Sequence, residues 1–417
     1  MMQLYFAQSR VWLFIGWLLL CSVLILQPAI GYAKEGNKVT TISPSLYKKL
    51  SKAEKLIEKK AYSKAQQIIS KALGNTKKGS YEQAITLRTS ASIYALQEKY
   101  SKAASALSKC LALKALPKKQ EQQALLNLGQ IYMAMTQYQK AVKALQPWLQ
   151  SNPRPDAEIS ILLANAYAQL KQYRKALPYV EQAIKATKKP AESWYQLNLA
   201  LYVELENYSA AARILQNLVA RYPEKKQYWS QLASVYQQLK NYKKAVAIRS
   251  LAFKKGLTTT EKEILELVNL YFAIDLPYQA AQLLKTELNS GRVKSNSKNW
   301  EMLANAWTQA KEFDYATQAL EKASKLNPRG RLYQQLGRIY VEQEKWGLAV
   351  KSLNKGLQKG NLKQPGNAHL LLGMSHYEQK NLKLARQAFA NARKYKKTRK
   401  AARQWLDYMA TENLDTY

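Results

Sequence analysis

Residues 100–141 read YSKAASALSKCLALKALPKKQEQQALLNLGQIYMAMTQYQKA, and the stretch ends almost as it begins. Blocks of this kind, an aromatic residue three positions before an alanine and often a lysine next to it, recur along the chain. The matching alanines are Ala65, Ala103, Ala141, Ala176, Ala211, Ala245, Ala280, Ala316, Ala349 and Ala385, at steps of 33 to 38 residues. A recurring period of this length indicates an array of structural units, none of which can bury its apolar face alone.

Three further positions keep register with these alanines. Nine residues before the alanine lie Tyr94, Tyr132, Tyr167, Tyr202, Tyr236, Tyr271, Trp307 and Tyr340, with His376 in the last copy. Twelve before it lie the small residues Ala53, Ala91, Gly129, Ala164, Ala233, Ala304, Gly337 and Gly373. Four after it lie Leu107, Leu145, Val180, Leu215, Leu284, Leu320, Leu353 and Phe389. Small residues at these points allow two helices to approach closely, and the large ones form apolar stripes.

This pattern resembles the tetratricopeptide repeat (TPR), a helix hairpin of about 34 residues. The resemblance implies an all-α chain, a right-handed α-solenoid of about ten hairpins with a C-terminal capping helix. We assign the array to residues 46–399 and the capping helix and tail to residues 400–417, with Trp405, Leu406 and Met409 covering the last apolar face. The 15 Gly and 12 Pro in 417 residues agree with a mostly helical chain. Leu199, Val268 and Arg249 depart from the pattern and predict looser packing or a hinge.

The N-terminal residues 1–33 have the features of a secretory signal peptide. Arg10 is followed by an apolar run at 11–26, then by Pro28, and small residues lead to Ala33. We expect cleavage after Ala33, export to the periplasm, and a disordered lead-in over residues 34–45. The alternative is an uncleaved segment that anchors the chain to the inner membrane, since the apolar run is close to the length of a span.

Residues for catalysis or metal binding are scarce. His369 and His376 are seven apart on one predicted helix, which is too far for a chelating pair, and His376 holds the aromatic position of its repeat. Cys110 falls at a helix contact, and it is the one cysteine left after residue 33, so no intramolecular disulfide can form. No phosphate-binding glycine loop or nucleophile motif is present. We predict no enzyme activity, no cofactor and no metal.

The predicted first helices of the hairpins offer a surface for a partner protein. Their groove-facing positions hold Gln130, Asn165, Ser234, Asn269, Asn305 and Arg338. Neutral amides pair with the backbone of an extended peptide because each offers a donor and an acceptor. The competing explanation is that these are ordinary polar residues on a solvated helix face. From the amide positions and the expected export, we predict a protein-binding scaffold in the bacterial envelope.

The chain is strongly basic, with 65 Lys and Arg against 28 Asp and Glu and a net charge of +37. One set of lysines directly precedes the repeat alanines: Lys64, Lys102, Lys140, Lys175 and Lys244. A second cluster lies near the C-terminus: Arg393, Lys394, Lys396, Lys397, Arg399 and Lys400. Both suggest an anionic partner such as an envelope polymer or lipid headgroups, or else a solvated basic surface. Nucleic acid is the least favoured partner because export argues against it.

A narrower resemblance covers about residues 330–410. Residues 333–380 read YQQLGRIYVEQEKWGLAVKSLNKGLQKGNLKQPGNAHLLLGMSHYEQK, with a Gly-Leu-x-Lys-Gly-x-Leu-x-x-Pro-Gly turn at 356–366. This stretch resembles the periplasmic TPR proteins that accompany TonB–ExbB–ExbD energy-transducing systems. The resemblance implies an accessory role in the uptake of iron–siderophore complexes, with TonB, ExbB or ExbD components as partners.

Overall fold

The computed structural model describes residues 41–412. This part of the chain contains twenty-one α-helices and no strand, which confirms the predicted all-α fold class. The described residues divide into two compact units, with the boundary between Ile214 and Leu215. The expected signal peptide at 1–33 and most of the expected lead-in lie outside the described residues. Among residues 41–412, every helix is too short or too polar to cross a bilayer.

The helices form consecutive hairpins. In the first unit they are α1 (Pro44–Glu58), α2 (Tyr62–Gly74), α3 (Tyr81–Leu96), α4 (Tyr100–Ala112), α5 (Lys118–Ala134), α6 (Tyr138–Ser151), α7 (Ala157–Gln169), α8 (Tyr173–Ala186) and α9 (Glu192–Glu204). Helix α10 (Tyr208–Arg221) begins in the first unit and ends in the second. The second unit continues with α11 (Lys226–Gln238), α12 (Tyr242–Lys254), α13 (Glu261–Ala273), α14 (Pro277–Asn289), α15 (Ser297–Gln309), α16 (Phe313–Leu326), α17 (Gly330–Glu342), α18 (Trp346–Lys359), α19 (Pro365–Glu378), α20 (Leu382–Arg393) and α21 (Arg399–Glu412).

The alanine register predicted from the sequence coincides with the hairpin geometry. Each of the ten repeat alanines lies three residues after the start of the second helix of a hairpin. All ten are fully buried, with 0% of the residue exposed. Where the first helix carries glycine, the packing leaves no room for a side chain: a Cβ placed on Gly129 would lie 2.6 Å from Leu145 Cγ. The small position therefore accommodates the large residue sixteen positions later on the facing helix.

Every hairpin turns through a left-handed residue that is not glycine. These residues are Lys60, Glu98, Thr136, Lys171, Glu206, Lys240, Asp275, Lys311, Glu344 and Lys380, with φ between 55° and 64°. In the third hairpin the Gln137 N–H donates to the Tyr132 carbonyl and the Thr136 N–H donates to the Met133 carbonyl, both at 2.9 Å. This pairing is the Schellman motif, which satisfies the last carbonyls of a helix. The aromatic position thus caps the first helix with its backbone as well as packing with its side chain.

The positions that depart from the repeat pattern are accommodated without exposure. Leu199 and Val268 are buried, at 2% and 0% exposure. Arg249 pairs instead with Glu266 of α13 at 2.9 Å, and its side chain is only 12% exposed. A bulky aliphatic residue replaces a small one at low cost where the facing surface can adjust, so the looser packing expected at these points is not seen in their burial.

A capping hydrogen bond begins the array at its N-terminal end, and aromatic packing closes it at its C-terminal end. At the N-terminal end, α1 begins at Pro44, inside the expected lead-in, because the Ser43 hydroxyl accepts from the Leu46 N–H at 3.3 Å. At the C-terminal end, α21 packs Trp405 against Phe389 with the ring centroids 5.2 Å apart and nearly parallel. Met409 is buried on the same face. Helix α21 therefore performs the capping role predicted for it.

Candidate functional site

The second unit contains a cavity of about 570 Å³ on the first helices of three consecutive hairpins, α13, α15 and α17. Its lining combines amides, charged groups and apolar side chains: Asn269, Phe272, Lys298, Glu301, Met302, Asn305, Gln309 and Arg331. Two of these, Asn269 and Asn305, are groove positions predicted from the sequence. The structure brings them to one cavity.

The position of the two asparagines follows from the residues before them. Val268 and Ala304 point into their hairpins and are fully buried. Asn269 and Asn305 come one residue later, about 100° further round the helix, and both are exposed. The repeat register that buries one residue therefore presents the next to the neighbouring first helix.

Hydrogen bonds hold the helices of the cavity at their N-terminal ends. Helix α13 begins with a capping box in which Thr260 and Glu263 satisfy each other's backbone N–H groups. The Asn299 amide of α15 donates to Glu261 of α13 at 2.9 Å, and only 3% of Asn299 is exposed. Such a bond between two first helices limits how far α13 and α15 can separate.

An ion pair fixes one wall of the cavity. Arg331 of α17 donates to Glu301 of α15 at 2.7 Å, with the Glu301 side chain 11% exposed and the Arg331 side chain 42% exposed. The outer part of the guanidinium therefore remains accessible. Lys298, one turn before Glu301 on the same helix, is exposed. The cavity consequently offers positive charge at one side and neutral amides at the other.

The other predicted groove residues do not join this cavity. Gln130 and Asn165 lie on α5 and α7 of the first unit and are half-buried. The Ser234 hydroxyl of α11 donates to the Ser230 carbonyl of its own helix at 2.9 Å. Arg338 of α17 is exposed, but it does not line the cavity.

Sequence reasoning missed several residues that line the cavity, although a signal for them exists. Lys298 lies seven residues before Asn305, and Gln309 lies four after it. Steps of four and seven return to the same face of a helix, so these residues follow from Asn305. Phe272 follows from Asn269 by a step of three. Arg331 cannot be found in this way, because its place depends on the neighbouring helix α17.

The lysines before the repeat alanines have an internal contact that the sequence analysis did not anticipate. Four of the five lie over the aromatic ring of their own hairpin. The distances from Nζ to the ring centroid are: Lys102 to Tyr94, 5.9 Å; Lys140 to Tyr132, 5.8 Å; Lys175 to Tyr167, 6.0 Å; Lys244 to Tyr236, 5.4 Å. Cation–π attraction stabilises such pairs. A cation at a helix N-terminus is otherwise unfavourable, and in these four hairpins the ring contact offsets part of that cost. Lys64 differs, since Leu56 occupies the aromatic position of its hairpin.

Cys110 and His376 lie in packing positions. Cys110 is buried, its thiol donates to the Ala84 carbonyl at 3.1 Å, and burial raises its pKa to about 11. A thiol with so high a pKa is a poor nucleophile at neutral pH. His376 is buried in its aromatic position, and burial lowers its pKa. Within residues 41–412 no group of three metal-ligating side chains comes together.

Comparison with known protein families identifies the repeats. The family model of the tetratricopeptide repeat matches residues 126–192, 199–251 and 335–398. These three segments carry tetratricopeptide repeats. Proteins built from TPRs mediate contacts between proteins, and their scaffold fold is typically not catalytic. No curated protein matches the sequence.

Solved TPR structures resemble this chain only weakly and at low sequence identity. A TPR protein from Parabacteroides merdae is 14% identical, covers 71% of this chain and 99% of its own, and has a TM-score of 0.38. MamA is 20% identical over 41% of this chain and 91% of its own, with a TM-score of 0.35. YrrB, described as a TPR protein with an unusual peptide-binding site, is 15% identical over 46% and 98%, with a TM-score of 0.37. Nothing about a ligand follows from scores this low.

Proposed function

We propose that this protein is a scaffold that binds an extended segment of a partner protein in the cavity of α13, α15 and α17. The observation that carries the proposal is the convergence of Asn269, Asn305 and Gln309 on one cavity. Each amide offers a donor and an acceptor, so it can pair with a peptide backbone without requiring a particular sequence. Phe272 and Met302 supply apolar surface for one side chain of the bound segment.

The charges of the cavity favour a segment with an acidic residue. Arg331 keeps part of its guanidinium accessible while Glu301 holds it in place, and Lys298 stands exposed on the adjoining turn. A carboxylate between the two cations gains charge-assisted hydrogen bonds. A cation held by an existing ion pair also loses little side-chain freedom on binding, which favours affinity.

A random-peptide display library, selected on the purified protein, tests this function. We expect selected peptides to bind Asn269→Ala and Asn305→Ala variants about tenfold or more weakly, the effect of one interface hot spot. Asn165→Ala is the matched control, because Asn165 holds the same repeat position in the first unit. Equal binding to all three variants would place the peptide site elsewhere, and a selection that enriches no peptide would refute the proposal.

The proposal also includes the cellular setting of the scaffold. We infer an exported scaffold of the bacterial envelope that assists a TonB energy-transduction system in iron–siderophore uptake. The support for this setting is the signal-like segment at 1–33 and the resemblance over residues 330–410. Crosslinking in intact cells, followed by purification of this protein, should recover TonB, ExbB or ExbD. Recovery of none of them in cells grown without iron would argue against this assignment.

A further inference from the structure

The C-terminal basic cluster is fully presented at the surface of the second unit. Its members end α20, form the link that follows, and begin α21: Arg393, Lys394, Lys396, Lys397, Arg399 and Lys400. All six are exposed, and none forms an ion pair with any residue from 41 to 412. The polar contacts of their side chains are to neutral groups: Lys394 Nζ donates to Asn391 at 2.9 Å and Arg399 Nε to the Arg393 carbonyl at 3.4 Å. Six positive charges therefore remain uncompensated within eight residues.

Folding alone does not account for this arrangement. Arg393 and Lys394 at the C-terminal end of α20 interact favourably with the helix dipole, but Arg399 and Lys400 oppose the dipole at the start of α21. The first turn of α21 contains no acidic residue to offset them. The aromatic ring contacts of Lys102 and Lys140 have no counterpart here, because no cation–π pair in the described chain includes a member of the cluster.

A cavity opens beside the cluster. It measures about 460 Å³ and is lined by Leu357, Gly360, Asn361, Leu362, Pro365, His369 and Tyr395. Tyr395 lies inside the run of cations, is 37% exposed, and stacks on His369 with the ring centroids 6.0 Å apart. Burial, and then the charge of Lys394, lower the pKa of His369. A lowered pKa favours the uncharged form of the ring, which forms part of the cavity wall.

The His369 ring also has an unused polar atom. Its Nδ1 is buried and has no hydrogen-bond partner in the described chain. Dense exposed cations, an accessible tyrosine and an open cavity with leucine and proline side chains in its wall thus occur together. An anionic bilayer surface offers the matching features, since phosphates lie outside and acyl chains lie directly beneath, and tyrosine is favoured at that boundary.

We propose that the face formed by residues 393–400 and the adjoining cavity docks on a membrane surface that contains anionic phospholipids. The cations contact lipid phosphates, and Tyr395 and the cavity mouth lie at headgroup depth. This peripheral contact uses a surface separate from the cavity of α13, α15 and α17. It goes beyond peptide binding, and each can be tested without the other.

Vesicle co-sedimentation tests the proposal with three proteins. The chain used begins at Lys34, which retains every described helix and removes the apolar run at 11–26. The first protein has the natural sequence, and the second carries Lys394→Gln, Lys396→Gln, Lys397→Gln and Lys400→Gln. The third is a control with the same net charge as the second, in which the exposed lysines Lys48, Lys52, Lys55 and Lys59 are changed to Gln. Vesicles of phosphatidylcholine alone are compared with vesicles that also contain phosphatidylglycerol.

The natural chain and the α1 control should prefer the phosphatidylglycerol vesicles. The cluster variant should lose on the order of 1000-fold in partitioning, since each of the four removed cations contributes about five- to sixfold to binding of anionic lipid. Binding should weaken as salt is raised above about 0.15 M, where the screening length is about 8 Å. An equal loss in both variants would mean that only net charge matters and would overturn the proposal. No preference for the anionic vesicles would overturn it as well, as would binding of soluble polyphosphate or of an acidic peptide at this face without vesicle binding.

Discussion

Gly337 of α17 faces Leu353 of α18 so closely that a Cβ at Gly337 would lie 2.5 Å from Leu353 Cγ. The same relationship joins Gly373 to Phe389 in the next hairpin, where the corresponding distance is also 2.5 Å. The contact spans the two helices of one hairpin and sets how closely they approach. It is the physical basis of the small residue twelve positions before the repeat alanine.

Replacement of Gly337 should therefore overpack its hairpin. We expect Gly337→Ala and Gly337→Leu to lower the free energy of unfolding by about 1–3 kcal/mol, the leucine more than the alanine. The matched control is Gly347→Ala on α18, where the nearest atom to a new Cβ lies 3.5 Å away. That change should raise stability by about 0.5–1 kcal/mol, because alanine favours a helix over glycine. Urea denaturation measures both, and a Gly337→Ala variant as stable as the natural chain would contradict the observed packing.

The left-handed turn residues predict stabilising substitutions. Thr136 has φ of 57° and is exposed, and a β-branched residue is strained in that conformation. Thr136→Gly should raise the free energy of unfolding by about 0.5–1 kcal/mol. Gln139→Gly, three residues later within α6, should lower it by a similar amount. Thermal denaturation of the two variants should thus shift in opposite directions, and a shift of the same sign in both would be inconsistent with strain at Thr136.

The contact between Lys102 and Tyr94 predicts an energetic coupling. A double-mutant cycle of Lys102→Gln and Tyr94→Leu should give a coupling free energy of about 0.5–1 kcal/mol, the usual size for an exposed cation–π pair. Lys109 on the same helix is exposed and has no such ring contact, so Lys109→Gln combined with Tyr94→Leu should show additive effects. Additivity in both cycles would mean that the lysine position is selected for another reason, such as an external partner.

The carboxylate of Glu263 predicts a pH dependence of stability. Burial alone would raise its pKa, but hydrogen bonds from Lys226, Thr260 and the Thr259 N–H outweigh burial and lower the pKa to about 2. The unfolded value is about 4.3, so the interaction stabilises the fold fully above that pH. The stabilisation is lost as pH falls towards 2.

Comparison with Glu263→Gln isolates this contribution from the other carboxylates. The natural chain should be the more stable at pH 7, and its advantage should shrink below about pH 4. Chemical denaturation at a series of pH values gives the difference directly. An advantage that stays constant down to low pH would show that Glu263 acts through packing rather than through its charge.

Several features of the fold were accessible from the sequence because they depend on spacing within one helix or one hairpin. Ala141, Gly129 and Leu145 lie within seventeen residues, and the same spacing recurs in most hairpins. The capping role of Trp405 and Met409 followed from apolar residues placed after the last repeat. By contrast, the contact of Lys102 with Tyr94 joins different helices, and it becomes visible only once the hairpin angle is known.

The repeat period and the spacing of apolar and small residues settled the fold class without coordinates. Hydrophobic periodicity and the size of the side chains at helix contacts act locally along the chain. The groove positions were likewise readable as one face of each first helix. Which of those side chains converge was decided by the tertiary structure alone. Asn269 and Asn305 share a cavity because Glu261 ties α13 to α15 and Glu301 ties α15 to α17, whereas Gln130 and Asn165 occupy equivalent positions outside it. Contacts between neighbouring hairpins depend on long side chains whose direction no sequence period specifies.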